Sequence, residues 1–385
     1  MGHDASRTGA PLLLLEIVRW LGINSTLEME IYLSGGGAIE AEYFKLARTF
    51  CNRGESRSLF QRALRKLGYI GNSEPSLVSR YPIKHYPVVY ANTIATCRAA
   101  MSLAHPRRRI IHHIHEMAYA TDVYHAKETL KGAVPYTDFY IAASAAVKDF
   151  LIDVIQVPEE RVRVIHEFPI AGCLQPSGDE NGITIRRKHG IPTDAFVVGM
   201  CGSPEWRKGT DLFVRLAQQV RAMPESRKCH FLWVGGGREA FREAQFDVNK
   251  LGLQDFCHFI PAVGDAGPYF EAFDLFALTS REDPFPLVML EAAASGLPIV
   301  CFAESGGAPE LVEADAGVIV PYLDVQAMAR ACVDLMMSED KRKQFGAQAK
   351  AKVEGRYLVA QQGPKILSVI ESAFESIPSG GNPRP

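Results

Sequence analysis

The stretch Thr279-Ser-Arg-Glu-Asp-Pro-Phe-Pro-Leu-Val-Met-Leu-Glu-Ala-Ala-Ala-Ser-Gly-Leu297 decides how this chain is interpreted. It follows an apolar run, Phe273–Leu278, so it is predicted to leave the carboxyl end of a strand. Asp283 followed by Pro284 predicts the start of a helix, because Asp accepts hydrogen bonds at an N-cap and Pro suits the first helical position. The stretch therefore predicts a strand–loop–helix unit.

One carboxylate of this helix lies on a face that is otherwise apolar. Spacings of three, four and seven residues bring these side chains together: Leu287, Leu290, Glu291 and Ala294. A carboxylate on a buried face needs a partner, and a pair of ligand hydroxyls at the mouth of a sheet would serve. The alternative is structural: Asp283 is only a cap, and Glu291 pairs with an arginine or a backbone donor.

Composition restricts the class of protein. A chain of 385 residues is long enough for two to three domains. The formal net charge of −2 does not favour a nucleic-acid partner. The eight cysteines form no Cys-x-x-Cys pair and several lie in apolar runs, which indicates buried thiols of a reducing compartment. No uncharged apolar run reaches the length of a membrane span. These features predict a cytoplasmic protein.

The first half of the chain alternates strand-like and helical patterns. Its strand-like runs are Leu27–Leu33, Pro87–Tyr90, Ile110–His113, Phe139–Ala142 and Val162–His166. Helices are predicted at Gly9–Leu21, Ala38–Thr49 and Ser56–Leu67. An α/β domain normally places a strand before its first loop and helix, yet this chain begins with a polar loop, Gly2–Thr8, that leads into a helix. We therefore expect either that the sequence begins late or that the sheet lacks its first strand.

The second half repeats the alternation more clearly. Its predicted strands are Phe196–Cys201, His230–Val234, Cys257–Ile260, Leu275–Leu278, Pro298–Phe302 and Val318–Val320, and a helical tail runs from Val325 to about Phe374. The fold class is α/β, with two doubly wound Rossmann-like domains facing across a cleft where a ligand would bind. The predicted boundaries are 1–168 for the first domain, 169–193 for a linker, 194–357 for the second domain, 358–375 for a helix packing back toward the first domain, and 376–385 for a disordered tail.

Residues 45–66 are rich in basic side chains. The cations are Lys45, Arg48, Arg53, Arg57, Arg62, Arg65 and Lys66, with Glu55 as the one acid among them. This region is either a solvated helical face or a contact with an anionic membrane surface or phosphorylated lipid acceptor.

Glycine-rich loops follow several strands of the second domain. Gly202–Gly209 opens a helix, and Arg207 and Lys208 beside a helix N-terminus predict an anion pocket. Gly235-Gly236-Gly237 follows the next strand, where absent side chains let a backbone approach a ligand closely. A third loop, Ser305–Glu310, makes the set considerably stronger than one glycine triplet alone.

A histidine-rich segment, Ile111–Glu116, ends a strand of the first domain. His113 and His115 would share a face, which raises the question of a metal site. No third ligand at suggestive spacing accompanies them, so no metal site is predicted. A polar or catalytic role at a strand end, or simple packing of one or two of the histidines, remains.

Taken in order, these motifs resemble the retaining, nucleotide-sugar-dependent glycosyltransferases of family four, which have the GT-B architecture. The resemblance covers most of 196–357. It lies in Gly202–Gly209, Val234–Gly237, Asp274–Ser280, Asp283–Pro298, Gly306-Gly307, Glu310 and Gly317. The first domain matches more thinly, through Ser6–Pro11 and His115-Glu116.

The resemblance implies roles for individual residues. Lys208 would neutralise the donor diphosphate, Glu291 would hold the donor ribose, and Asp283 would lie beside the transferred sugar. His115 would be the histidine near the reacting centre. The remaining donor-binding residues that it implies are Gly9, Gly202, Ser203, Arg207, Gly235, Gly236, Phe285, Pro286 and Leu287.

Three departures from the family pattern concern the site. The first acid is Asp283, one methylene shorter than expected, and Glu282 beside it is the residue that could substitute for it. Pro284 and Pro286 replace glycines and lack backbone donors. Ser203 stands where a phosphate-clamping arginine is expected, and Arg207 is the residue that could compensate for it.

The resemblance implies a hexosyltransferase-type enzyme that moves a sugar from a nucleotide diphosphate sugar to a glycan, lipid-linked or small-molecule acceptor with retention. It implies polysaccharide, glycan or glycolipid biosynthesis, no cofactor and no obligatory metal, and a cytoplasmic location that includes the inner face of a membrane. The alternative is a catalytically silent GT-B protein that binds a nucleotide sugar or partners another glycosyltransferase. A GT-B epimerase or phosphorylase is a third interpretation.

Overall fold

The computed structural model describes residues 1–52, 86–170, 181–226 and 228–378. The chain forms two compact units, with two parallel sheets in unit 1 and one in unit 2. Unit 1 comprises Met1–Ala143, Lys148–Ile165 and Gly363–Pro385, and unit 2 comprises Ser144–Val147 and His166–Gln362. The predicted helix Ser56–Leu67, most of the basic region and residues 379–385 lie outside the described residues.

Unit 1 is built on parallel strands. They are β1 (Glu30–Leu33), β2 (Arg48–Cys51), β3 (Val88–Asn92), β4 (Arg109–Ile114), β5 (Phe139–Ala142) and β6 (Val162–Val164). β1 pairs with β2, and the order of the other four is β3-β4-β5-β6. β4 is buried along its whole length, as expected of a central parallel strand with both faces covered.

Two residues at the start of the chain bridge the sheets of unit 1. The Gly2 amide donates to the Tyr32 carbonyl at 2.8 Å, which joins it to β1. The Asn92 amide donates to the Met1 carbonyl at 2.9 Å, which joins it to β3. Met1 and Gly2 thus occupy the position between β1 and β3, where a doubly wound sheet would hold a full strand.

The helices of unit 1 alternate with its strands along the chain. They are α1 (Gly9–Asn24), α2 (Glu40–Leu46), α3 (Cys97–Met101), α4 (Ala118–Val123), α5 (Lys127–Ala133) and α6 (Ala145–Asp153), of which α6 begins in unit 2. The predicted helix Ala38–Thr49 is too long, because residues 48–51 pair with β1 as strand β2. β-branched Thr49 and aromatic Phe50 suit a strand, and the pairing decides between the two structures.

Unit 2 carries a sheet of six parallel strands in the order β12-β11-β10-β7-β8-β9. The strands are β7 (Phe196–Cys201), β8 (Cys229–Val234), β9 (Cys257–Ile260), β10 (Leu275–Leu278), β11 (Ile299–Phe302) and β12 (Gly317–Val320). All six strands predicted for this half of the chain are confirmed to within one residue at each end. The buried runs Val197–Cys201 and Leu275–Leu278 form the core beneath the loops described below.

Helices α7 (Gly182–Lys188), α8 (Thr210–Arg221), α9 (Arg242–Lys250), α10 (Gly267–Ala272), α11 (Leu287–Ala294) and α12 (Ala308–Val312) follow in unit 2. The predicted helical tail is confirmed as α13 (Val325–Met337), α14 (Glu339–Arg356) and α15 (Val359–Glu375). α7 falls inside the segment predicted as a linker. From Gly363 onward, α15 belongs to unit 1.

The cysteines of the described residues are all free thiols, as predicted. Six are buried, and Cys51 is half-buried. Burial raises the pKa of the Cys229, Cys257 and Cys301 thiols to about 12 in each case. These thiols are therefore protonated and act as small apolar side chains.

Candidate functional site

The strand order of unit 2 reverses between β7 and β10. From β7 the chain proceeds to β8 and β9 on one side, and from β10 to β11 and β12 on the other. Such a reversal leaves a crevice at the carboxyl ends of the two strands, which is where doubly wound sheets bind ligands. Two loops border this point: residues 202–209 after β7 and residues 279–286 after β10.

The first loop presents two adjacent cations. Trp206–Lys208 forms a single 3-10 turn, and Gly209 then takes a left-handed conformation (φ +72°) before α8 begins. A side chain at Gly209 would overlap the Thr279 carbonyl oxygen, so this residue must be small where the two loops touch. The turn holds Arg207 and Lys208 over the end of β10.

Asp283, from the second loop, meets both cations. Its Oδ1 accepts from Arg207 Nη1 at 3.1 Å, and its Oδ2 accepts from Lys208 Nζ and, at 3.2 Å, from Ser280 Oγ. The Asp283 residue is 5% exposed. Residues about 75 positions apart in sequence thus form one buried ionic cluster at the switch point.

The cluster sets the ionisation of its members. Burial alone would raise the pKa of the Asp283 carboxyl, but Lys208 and Arg207 outweigh it and hold that pKa below the ordinary 3.8. Burial likewise disfavours the charged form of Arg207, yet Asp283 and Glu205 outweigh it and raise the Arg207 pKa above its ordinary value. Asp283 is therefore a carboxylate at neutral pH, and Arg207 is fully charged.

The prediction that Asp283 caps a helix is wrong. α11 begins at Leu287 with Pro286 before it, and no side chain caps it. The Asp283 carboxylate is held by the cations, and its amide donates to the Ser305 carbonyl at 2.7 Å. A local Asp-Pro signal was overridden by partners distant in sequence.

The predicted donor-binding residues at the start of α11 are now located. Pro286 is buried, and the Phe285 side chain, 2% exposed, packs against the rings of His166 and Tyr357 at 4.8 and 5.3 Å between centroids. Leu287 is the first helical residue, so its amide has no partner within the helix. Because the Phe285 side chain is buried, Phe285 can face a ligand only with its backbone groups.

Glu291 is half-buried rather than buried. The buried side chains of α11 are Met289, Leu290, Ala292 and Ala293, so the core face is shifted from the face predicted. The Glu291 carboxylate still lies near the end of β7, because, after burial, it is a cause of the raised pKa of the Cys201 thiol. Glu291 is thus at the rim of the crevice, where a partly solvated carboxylate can accept from a ligand.

The glycine loops contact one another. Gly202 and Gly235, at the ends of β7 and β8, both have positive φ, +137° and +134°. A Cβ on Gly235 would lie 2.5 Å from the Gly202 carbonyl oxygen, and one on Gly236 would overlap the Pro204 ring. Gly235 and Gly236 therefore allow the loop after β8 to approach the loop after β7. The sequence had predicted these glycines for a different reason, the close approach of a ligand.

Ser203 and Arg207 differ in environment. Ser203 is exposed, whereas Arg207 is half-buried and bonded to Asp283. Glu282, the second acid of the loop, is half-buried, and its carbonyl accepts from Arg207 Nη1 at 3.1 Å. Arg207 and Lys208 are therefore proposed for the cationic role expected at 203, whereas Arg281, the third cation of these two loops, pairs with Asp211.

Sequence reasoning missed one polar pair of unit 2. Glu310 Oε2 lies 2.7 Å from His166 Nε2, and Glu310 Oε1 accepts from the Ala145 amide at 2.9 Å. The Tyr357 ring stands edge-on to His166 at 5.2 Å. Glu310 was part of the resemblance, but His166 carried no local signal. The pair fixes His166 against Phe285.

In unit 1, His115 is joined to the first turn of α1. His115 Nε2 lies 2.8 Å from Asn92 Oδ1, and Asn92 Nδ2 donates to the Ala10 carbonyl at 3.1 Å. Gly9, the predicted donor-contacting glycine, is exposed as the first residue of that helix. Asn92, which is fully buried, was missed because its role depends on pairing of β3 with β4.

His113 and His115 lie together, with ring centroids 4.0 Å apart. His113 is buried, its Nδ1 lies 2.5 Å from the Tyr90 hydroxyl, and burial holds its pKa well below 6.5. Within the described ranges no group of three or more His, Cys, Asp or Glu side chains could hold a metal ion.

Solved structures identify the class to which this fold belongs. Anabaena HepE in complex with UDP matches with a TM-score of 0.76 at 23% identity, covering 96% of this chain and 98% of that chain. WaaG, a glycosyltransferase involved in lipopolysaccharide biosynthesis, matches with a TM-score of 0.69 at 17% identity, covering 98% and 100%. The fold is GT-B, with two Rossmann-like domains, as predicted.

A sequence comparison places one family beside the second half of the chain. Residues 195–338 match the family described as glycosyl transferases group 1. The match includes both loops of the switch point and all of α11.

Curated relatives agree with that family. A D-inositol 3-phosphate glycosyltransferase of Stackebrandtia nassauensis is 27% identical over 224 residues, which are 56% of this chain and 50% of the relative. A GDP-mannose-dependent monoacylated alpha-(1-6)-phosphatidylinositol monomannoside mannosyltransferase of Corynebacterium glutamicum is 28% identical over 214 residues, 51% of this chain and 52% of the relative. The chain spans about half the length of these relatives. In the described part of the chain, no helix has the length and apolar character needed to cross a membrane.

Proposed function

We propose that the protein is a glycosyltransferase that transfers a hexose from a nucleotide diphosphate sugar to an acceptor hydroxyl, with retention at the anomeric carbon. One observation carries the proposal: Arg207 and Lys208 come together on Asp283 at the switch point of the sheet in unit 2. This point lies within residues 195–338, which match the glycosyl transferases group 1 family. Paired cations at that position suit a diphosphate leaving group.

The leaving group sets the main chemical demand. Breaking the bond between the sugar and the diphosphate leaves negative charge on the phosphate oxygens. Lys208, Arg207 and the free amides at the start of α11 supply positive potential there. With two side-chain cations in place, the proposal requires no metal ion and no cofactor.

The other site residues are proposed to bind and orient the donor. Glu291, at the rim beside β7, accepts from the donor ribose. Gly202 and Gly235 are proposed to let the nucleotide approach the ends of β7 and β8 closely, because neither residue carries a side chain. Their contribution is close approach, since the Gly202 carbonyl accepts from Trp233 Nε1 and the Gly202 and Gly235 amides donate to Val234 and Ile260. Within unit 1, Gly9 begins a helix and Asn92 orients the His115 imidazole, and a role of these two residues in sugar transfer stays a prediction.

The acceptor is proposed to be a glycan or a lipid-linked hydroxyl. The relatives include a lipopolysaccharide core mannosyltransferase of Rhizobium leguminosarum and the phosphatidylinositol mannoside enzyme above. Phe44, Lys45 and Arg48 are exposed at the start of the basic region, which suits a protein that meets the anionic inner face of a membrane. The proposed location is cytoplasmic, at or near such a surface.

The test begins with donor identification. Purified protein is screened by thermal shift against UDP-, GDP-, ADP- and dTDP-sugars, since a bound donor stabilises the folded state by mass action. The donor that binds is then used to measure release of nucleoside diphosphate and transfer to acceptor. Lys208→Ala is expected to lower kcat/KM at least a hundredfold, and Glu291→Ala at least tenfold, which correspond to about 3 and 1.4 kcal/mol.

Near-wild-type turnover by both variants would overturn the site assignment. Binding of a sugar nucleotide without hydrolysis or transfer would favour the second candidate, a catalytically silent GT-B protein. Exposed Ser203 in the position of the expected arginine is the observation that keeps this candidate in view.

A further inference from the structure

We propose that Asp283 is an internal counter-anion of the donor site, which holds Arg207 and Lys208 while the site is empty and is displaced from them by the donor diphosphate. The inference rests on the function proposed above, because it takes a diphosphate as the ligand of the two cations. It assigns Asp283 a role other than contact with the transferred sugar.

The contacts of the carboxylate are nearly complete without a ligand. Oδ2 already accepts from Lys208 and Ser280, and Oδ1 accepts from Arg207. Each oxygen can accept about two hydrogen bonds, so only one acceptor site is left on this group. A sugar hydroxyl would meet a carboxylate whose oxygens are already engaged.

The backbone of Asp283 is fixed on both sides. Its amide donates to Ser305, and its carbonyl accepts from the Gly307 amide at 3.2 Å. Arg207 and Lys208, by contrast, carry long side chains with several rotatable bonds. Displacement therefore moves the two cations, and Asp283 remains where it is.

The sign of the effect on binding follows from charge. In the empty site, Asp283 offsets the cost of burying two adjacent cations. In the occupied site, the diphosphate offsets that cost, and Asp283 becomes a like charge close to the ligand. Asp283 thus stabilises the unliganded protein and weakens diphosphate binding, which favours release of the nucleoside diphosphate after transfer.

A diphosphate without a sugar separates this role from the alternatives. Kd values of UDP, GDP, ADP and dTDP are measured by calorimetry on wild type and on Asp283→Asn, which keeps the side-chain shape. The nucleoside diphosphate that binds wild type is expected to bind the variant on the order of tenfold more tightly. The unliganded variant is expected to melt at a lower temperature than wild type.

Two other outcomes overturn the proposal. An unchanged Kd for the nucleoside diphosphate, with loss confined to the sugar nucleotide, would make Asp283 a sugar contact. A higher Kd of the variant for the nucleoside diphosphate would mean that Asp283 positions the two cations for the ligand.

Two further variants make the result specific. Asp211→Asn removes a carboxylate that pairs with Arg281 at 2.7 and 2.8 Å in the same unit, and it is expected to leave the nucleoside diphosphate Kd within about twofold of wild type. If Asp283→Asn does not fold, Arg207→Gln is compared with the double variant Arg207→Gln/Asp283→Asn. The double variant must bind the nucleoside diphosphate more tightly than the single one, and equal or weaker binding overturns the proposal.

Failure of the underlying function gives a different result. If wild-type protein binds none of the four nucleoside diphosphates, both the proposed function and the counter-anion role of Asp283 are overturned. If wild type binds a nucleoside diphosphate and either of the two contrary outcomes above is found, only the proposal that Asp283 is a counter-anion is overturned.

Discussion

Asp283 and Gly306 form a parallel β-bridge outside the main strands. Gly306 has a φ of +115°, and the Gly307 amide that follows it donates to the Asp283 carbonyl. A Cβ at position 306 would overlap that carbonyl oxygen. The placement of the buried carboxylate therefore depends on a glycine in the loop after β11.

Gly306→Ala is expected to destabilise the protein by about 2–4 kcal/mol, because the new side chain is strained by its φ and forces the bridge apart. Chemical denaturation measures the change. Gly264→Ala is the matched control, since a Cβ there meets nothing within 4 Å, and it is expected to stay within about 0.5 kcal/mol of wild type. Equal stability of the two variants would contradict the role of the bridge.

Asn92→Ala tests the link between His115 and α1. The change removes the side-chain donor of the Ala10 carbonyl and the Asn92 Oδ1 contact of His115 Nε2, so a loss of about 1–3 kcal/mol in stability is expected. Sugar transfer is expected to fall about tenfold in kcat/KM through misorientation of His115. Asn24→Ala, whose exposed amide donates to the Trp20 carbonyl at 2.8 Å, is the control. Full activity of Asn92→Ala would show that the imidazole needs no such support.

The lowered pKa of His112 makes the free energy of unfolding depend on pH. It is fully buried, its Nδ1 lies 2.8 Å from Thr137 Oγ1, and burial lowers its pKa from 6.5 to about 3. The unfolded chain therefore binds a proton at pH 5 that the folded chain does not. The stabilising contribution of the neutral imidazole is complete above pH 6.5 and is lost progressively as the pH falls toward 3.

The expected loss from this one group is about 2 kcal/mol between pH 7.5 and pH 5. Urea unfolding of wild type and His112→Asn at both pH values measures it, because the variant removes the titration. The variant is expected to lose less stability than wild type over this range, by about that amount. Parallel losses in the two proteins would mean that His112 is not buried in the neutral form.

The buried thiols predict chemical inertness. With their pKa values at about 12, Cys229, Cys257 and Cys301 are expected to resist iodoacetamide at pH 8 in the native protein and to react fully in denaturant. Half-buried Cys51 is expected to react first among the described cysteines. Peptide mass mapping gives the order, and early labelling of Cys301 in native protein would contradict its burial.

The sequence predicted unit 2 better than unit 1, for a physical reason. Strands such as β10 and β11 are fully buried and apolar throughout, and this apolar pattern can be recognised whichever strands pair with them. β2 is short, and residues 48–51 become a strand only by pairing with β1. The predicted helix over this segment followed a local pattern that the pairing overrides.

The site divides in the same way. The positions of Lys208 and Glu291 in the fold could be predicted, because Lys208 follows the end of β7 and Glu291 lies on the helix after β10. The ionic cluster could not be derived, because the partners of Asp283 lie about 75 residues earlier and the Asp-Pro pair gives a strong capping signal by itself. Asn92 and His166 carried no local pattern, and only the packing of strands and loops gives them partners.

The contact between Gly202 and Gly235 has a consequence for altering donor choice. Because a Cβ on Gly235 would overlap the Gly202 carbonyl and both residues have positive φ, the conformations of the loops after β7 and β8 depend on each other. A chimera that takes one loop from a relative and keeps the other would combine two surfaces that were never fitted to each other. The unit of exchange between such proteins is therefore the pair of loops, transplanted together.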